Sequence, residues 1–234
     1  MNLLTFANAK TIKGEELGWR TAILYLAPHK ISGTNLCENA SPGCIASCLF
    51  TAGRGVQKNV REARINKTRY FLDKKEEFLE QLRSEIEREE RSAAKAGFSL
   101  CVRLNGTSDI RWEELNIIQQ FPHIQFYDYT KIPERVLSNK LKNYDLTFSL
   151  NELNSNHAKK VLDKGFNVAA VLPTSELPET HLGAPVINGD EHDLRFLDLK
   201  GHIVGLKAKG KARYDKIGFV LKTNQPQPAG AMVK

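Results

Sequence analysis

The stretch SLCVRLN, residues 99–105, alternates strictly between apolar and polar side chains. Successive side chains of a strand point to opposite faces, so Leu100, Val102 and Leu104 share one side and Ser99, Cys101, Arg103 and Asn105 the other. YDLTFSLNE, residues 144–152, repeats the pattern, with Leu146, Phe148 and Leu150 opposed to Thr147, Ser149 and Asn151. A parallel strand covered by helices on both faces would be apolar on both. One apolar and one polar face calls instead for helices outside and a polar interior.

Working outward, strand-like and helix-like segments alternate with short connections. An apolar strand is expected at TAILYLAP (21–28). Strand–helix pairs follow at FSLCVRLN (98–105) with RWEELNIIQQF (111–121), IQFYDYT (124–130) with PERVLSNKL (133–141), and YDLTFSL (144–150) with NELNSNHAKKVLDKG (151–165). Further strands are expected at NVAAVLPT (167–174), APVING (184–189) and HIVGLKAKG (202–210). Such alternation argues for a parallel sheet. Between 56 and 96 the chain is polar and helical in period, with Phe71, Leu72, Phe78, Leu79, Leu82 and Ile86 on one stripe, a break near Asp73 and a C-cap signal at Gly97. The expectation is a single α/β domain over 1–234, a partial or small (β/α) barrel-like parallel sheet with outer helices. It carries a cysteine-cluster segment at 35–50 and the helical segment at 56–96. The tail at 222–234 reads as frayed.

Polar residues crowd the strand ends, where loops converge in parallel α/β folds. RLNGTSD (103–109), YDYTK (127–131), SLNE (149–152), NGDEHDLR (188–195) and LKAKG (206–210) nominate Arg103, Asn105, Asp109, Asp128, Lys131, Asn151, Glu152, Asp190, Arg195 and Lys207 as lining a substrate pocket. Asp193, Lys209 and the phenols Tyr127, Tyr129 and Tyr144 belong to the same rim. Plainer readings compete: Asn-Gly and Gly-Asp favour turns, and Asp109 fits a cap for a helix at Trp112. Of the histidines only His192 merits a test, and His157 should face solvent.

NLCENASPGCIASCLF, residues 35–50, holds Cys37, Cys44 and Cys48. Cys44 and Cys48 share a face if CIASCLF is helical, and the SPG turn brings Cys37 back beside them. The first residues show no signal-peptide pattern and no apolar run is long enough to span a bilayer. The expected compartment is therefore a cytoplasm, where clustered thiols more often hold metal than form disulfides. Structural zinc wants four ligands, usually in paired CxxC knuckles, and none is present. An iron–sulfur cluster of the 4Fe-4S kind accepts three cysteines, so Cys37, Cys44 and Cys48 are its candidate ligands, with zinc as the alternative. Cys101, on the polar face of its strand, is a candidate fourth ligand.

The formal net charge of +7 favours contact with something anionic. Arg54, Lys58, Arg61, Arg64, Lys67 and Arg69 follow the cysteines and fit either a solvated helix face or an anion site. A small anionic ligand is the favoured partner; nucleic acid is admitted but not favoured, and no membrane is expected.

The motifs C…GC…C…TAGRG, AR…KT…F, RLNGTSDI.WE, YDYTK, NYDLTFSLNE, NGDEHDLRFLD and GLKAKG, spread from about 34 to 219, resemble an uncharacterised family of bacteriophage and prophage gene-product domains. That resemblance implies a phage origin and a bacterial host cytoplasm, and no activity. A weaker likeness, in architecture alone, is to radical S-adenosylmethionine enzymes, which also place three cysteines after the first strand of a partial barrel. The cysteine spacing departs from their CxxxCxxC, and no glycine-glycine-glutamate motif occupies the next strand. The combined expectation is a phage-encoded iron–sulfur protein, with its cluster at the strand-end rim, acting on a small anionic substrate. The alternative is a metal- or cluster-stapled module that binds nucleic acid or a host protein.

Overall fold

The computed structural model describes residues 1–6, 9–173 and 176–221. The 222–234 tail lies outside the described residues. The elements in chain order are β1 (Leu4–Thr5), α1 (Ala9–Glu15), β2 (Trp19–Leu24), α2 (Pro42–Ala46), α3 (Lys58–Asp73), α4 (Lys75–Lys95), β3 (Ser99–Arg103), β4 (Gln125–Thr130), α5 (Pro133–Leu137), β5 (Tyr144–Ser149), α6 (Ser155–Asp163), β6 (Val168–Leu172), β7 (Thr180–His181), β8 (Ala184–Asn188) and β9 (Ile203–Lys207).

These strands form one run in the order β1-β2-β3-β4-β5-β6-β9-β8-β7. From β2 to β8 every neighbour is parallel, and only the short edge strands β1 and β7 are antiparallel. From β2 to β6 the order is progressive and parallel, as in a barrel wall, before β9 inserts between β6 and β8. The wall stays open, because β1 and β7 pair with one neighbour each.

The alternation in β3 and β5 sets the two faces. Leu100, Val102, Leu104, Phe126, Leu146, Phe148 and Leu150 bury against Phe78, Leu79, Leu82 and Ile86 of α4 and Ala158 and Val161 of α6. Burying each large side chain of that stripe contributes roughly 1.5–3 kcal/mol of transfer free energy. On the other face the segment around Leu194 and Phe196 packs against Cys101, Tyr127 and Trp19, closing the bottom of the interior. At the strand C-termini the interior stays hollow.

Two helical expectations need correction. RWEELNIIQQF is not an α-helix but two 3-10 turns, Trp112–Leu115 and Ile118–Gln120, separated by Asn116 in the left-handed region at φ 57°. CIASCLF is not one helix either. Ser41 caps α2 by accepting from Cys44 N at 3.2 Å, and the helix stops at Ala46. Cys48 then opens a separate 3-10 turn, Leu49–Thr51. The break near Asp73 is present at Lys74, between α3 and α4. Among the described residues no helix is long and apolar enough to cross a membrane.

Candidate functional site

A cavity of about 300 Å³ opens at the C-terminal ends of the strands. Its walls combine Arg103 at the end of β3, Ser149 at the end of β5 and Lys207 at the end of β9 with Asn105, Asp109 and Lys131 from the loops. Cys37, Cys44 and Cys48 line it from one side, so the long loop after β2 brings its three thiols to the place where the strand-end loops converge.

The cysteine loop is held from below. Glu152 Oε1 accepts from Gly43 N at 2.7 Å and Oε2 accepts from Ser41 Oγ at 2.8 Å. Two of the sulfurs accept backbone N–H groups: His29 N lies 3.4 Å from Cys37 Sγ and Phe50 N 3.5 Å from Cys48 Sγ. Burial pushes the Cys37 thiol up to about 11, against the His29 hydrogen bond, and raises the Cys48 thiol too. The three thiols feel one another and the Lys131 ammonium. Burial alone would lower the Lys131 pKa, but Cys44 and Asp109 reverse this and raise it.

Lys131 is itself positioned by a buried chain of polar contacts. Its N–H donates to Asp109 Oδ2 at 2.8 Å and its Nζ to Ser149 Oγ at 2.9 Å. Asp109 Oδ1 accepts from Arg135 Nη1 at 2.6 Å; Arg135 also forks onto Glu113 and donates to Tyr144 OH at 3.0 Å. Tyr144 OH donates to Asp128 Oδ2 at 2.9 Å, and Asp128 Oδ1 accepts from Asn105 N at 2.7 Å. Asn105 Oδ1 in turn accepts from Ser108, Ile110 and Trp112. Asp109 therefore ties two strand-end loops together instead of capping a helix at Trp112.

On the cavity floor Arg103 Nη1 meets Asp193 Oδ2 at 2.8 Å, and its guanidinium lies 4.7 Å from the Tyr129 ring centroid. Burial works against this cation, but Asp193 and the surrounding phenols outweigh it and keep Arg103 charged. Burial also raises Tyr127 and Tyr129, so both phenols remain protonated donors toward Asp193.

The residues nominated from the sequence thus divide. Arg103, Asn105, Asp109, Lys131 and Lys207 reach the cavity. Asp128 is buried in the supporting chain, and Asn151 shapes a turn by accepting from Leu153 N. Glu152 holds the cysteine loop, and Asp190 holds Lys207 N and Lys209 Nζ at 2.7 and 2.8 Å. Arg195 is fully buried against Asp198 and the His192 carbonyl. His157 is exposed, and His192 faces Arg195 and Asp198. Tyr25 and Phe219 line the cavity unforeseen, outside any polar cluster, and Ser47 joins them from within the cysteine segment.

Cys101 stands apart. It is fully buried, its thiol lies 3.3 Å from Thr21 Oγ1, and it does not line the cavity. Arg103, one step further along the same face of β3, occupies the level between it and the rim. The basic stretch after the cysteines is also partly internal. Arg64 is buried over the Tyr25 and Phe50 rings, and Lys67 is buried with its Nζ on the Leu3 carbonyl at 2.7 Å, whereas Arg54, Lys58, Arg61 and Arg69 are exposed.

Among the described residues no group of three or more His, Cys, Asp or Glu side chains stands close enough to hold a metal ion. The family model described as Gene product 88 matches residues 2–223. The chain belongs to the Gene product 88 family. That match supports the resemblance to a gene-product domain family drawn from motifs between 34 and 219, whereas the likeness to radical S-adenosylmethionine enzymes gains no support. No curated protein and no solved structure matches this Gene product 88 chain.

Proposed function

We propose that this Gene product 88 protein holds an iron–sulfur cluster on Cys37, Cys44 and Cys48 and presents it to a small anionic ligand in the adjoining cavity. The observation that carries the reading is that these three thiols, and not Cys101, line one cavity together with the cations Arg103 and Lys131. Structural zinc takes four ligands, usually in paired CxxC knuckles, and the sequence has no such pair. Backbone N–H groups on two sulfurs are the kind of contact that tunes such a centre. Lys131 and Arg64 offset part of the negative charge that three thiolates would bring.

Held by Cys37, Cys44 and Cys48 alone, a cubane cluster would leave one iron without a cysteine, and that iron would supply Lewis-acid or one-electron chemistry. The chain's own residues do the rest. Arg103 and Lys131 attract the anionic group, Tyr129 and Asp193 orient the floor, and Leu206, Val171 and Phe219 exclude water from one side.

Anaerobic reconstitution with iron and sulfide tests the proposal. The expected product is brown, with iron and labile sulfide in near-equal amounts and a paramagnetic signal on reduction. A colourless protein that takes up zinc and no sulfide would end this reading.

A further inference from the structure

Two segments remote in sequence meet at the cavity mouth. Residues 51–61 and 207–217 contain eight Lys or Arg and one acid, Asp215, so together they carry +7, the formal net charge of the entire chain. All eight cations are exposed: Arg54, Lys58 and Arg61 on the first segment, and Lys207, Lys209, Lys211, Arg213 and Lys216 on the second. The segments pack on each other. At Gly210, whose φ is 55°, an added Cβ would stand 2.7 Å from the Ala52 Cβ. Lys207, Lys209 and Ala212 of the second segment line the cavity, as does Leu49 just before the first. Among the cations stand exposed apolar tips, Val56 at 60%, Tyr214 at 81% and Ile217 at 50% exposure. Asp215 is engaged by the N–H groups of Ile217, Gly218 and Val220, while Lys58 pairs with Glu62 and Lys209 with Asp190.

We propose that this collar binds single-stranded nucleic acid, with phosphates on the cations and one unpaired base entering the cavity. The inference rests on the cavity being a ligand site, as above, and needs no cluster. A folded acidic protein would want a packed apolar centre to its interface, and the centre here is a hole. A flexible polyanion whose every unit carries a planar body suits both the collar and the hole. A duplex would first have to unstack a base to enter. Inside, Arg103, whose Nε is buried with no hydrogen-bond partner among the described residues, together with Asp193 and Asn105, offers donors and acceptors to a base edge. On the collar, exposed Tyr214 offers a stacking face.

The test is fluorescence anisotropy with labelled single-stranded DNA and RNA of about 20 nucleotides, several times the smallest site size of single-strand binders. Affinity should fall about 100-fold between about 50 and 200 mM salt, as five or so phosphate contacts require. The triple variant Lys211→Ala, Arg213→Ala, Lys216→Ala should bind at least about tenfold more weakly and flatten the log–log salt slope by about 2. The control Lys140→Ala, Lys142→Ala, Lys160→Ala removes as much charge elsewhere and should bind as the parent does. Val171→Phe, which fills the cavity, should keep the salt-dependent binding but lose the fluorescence rise of a 2-aminopurine base leaving its stack. Melting curves establish that each variant is folded. Unchanged binding by the collar variant, equal affinity for duplex, or displacement by polyglutamate as readily as by unlabelled oligonucleotide would overturn the proposal. Iron and sulfide counts on the same samples keep it separate from the cluster: loss of iron with strand binding intact would sink only the cluster.

Discussion

Glu152 reaches from the loop after β5 to Gly43 at the start of α2, and its Oε1 accepts the Gly43 N–H at 2.7 Å. Because Oε2 takes Ser41 Oγ as well, one carboxylate fixes the turn between Cys37 and Cys44. The fit is tight: a Cβ on Gly43 would stand 2.7 Å from Glu152 Oε2.

Glu152→Ala should therefore lower stability by about 2 kcal/mol, the usual value of hydrogen bonds to a charged acceptor. For a chain of this size that is a fall of about 4–8 °C in Tm. Labelling of Cys37 and Cys44 by a thiol reagent should accelerate in parallel. Unchanged labelling with a lowered Tm would show that the clamp supports the fold without ordering the cysteines.

Single replacements of Cys37, Cys44 or Cys48 by Ser should each abolish or strongly reduce iron retention after reconstitution. Cys101→Ser should retain iron, because its thiol is sealed against Thr21 away from the cavity. Iron analysis after gel filtration decides between them, and a Cys101 variant without iron would bring that strand into the ligand set.

Burial raises the Asp128 carboxyl to about 7, with Arg103 and the Asn105 N–H acting in the opposite direction. The native state then holds a proton that the unfolded chain, with an ordinary aspartate near 3.9, has released. Stability from this group is complete below about pH 4 and falls as pH rises through about 7. Urea titrations across that range should show the slope in the parent and a shallower one in Asp128→Asn, whatever the variant's absolute stability.

Arg135→Met should be among the most damaging surface-remote changes. The side chain is 1% exposed and serves Asp109, Glu113 and Tyr144 together. Removing it strands the partly buried carboxylates of Asp109 and Glu113, at a cost of about 3 kcal/mol. The Lys131 loop should loosen with it, which amide hydrogen exchange at Lys131 and Ile132 would register.

The alternating strands made the inner and outer faces legible in advance, because period-two patterning follows directly from backbone geometry. SLCVRLN and YDLTFSL sit as their alternation requires: Leu100, Val102 and Leu104 all join the outer core, as do Leu146, Phe148 and Leu150. The two 3-10 turns at 112–120 were not legible, since WEELNIIQQ has good helical composition and the turns are set by Trp112 bonding to Asn105 across the loop. Among site residues, the strand-end position of Arg103 and Lys131 announced them. Glu152 looked like a pocket acid, and its work on Gly43 depends on a contact between loops that no local pattern encodes. The gathering of charge at the cavity mouth was equally hidden, being divided between two stretches that only the tertiary fold unites.

The contact of Gly210 with Ala52 has an electrical consequence. By seating one basic segment on the other it gathers a formal charge of +7 onto one surface beside the cavity entrance. In the field of an anionic chain such a molecule turns before it touches, so that encounters begin at the entrance more often than random collision would allow.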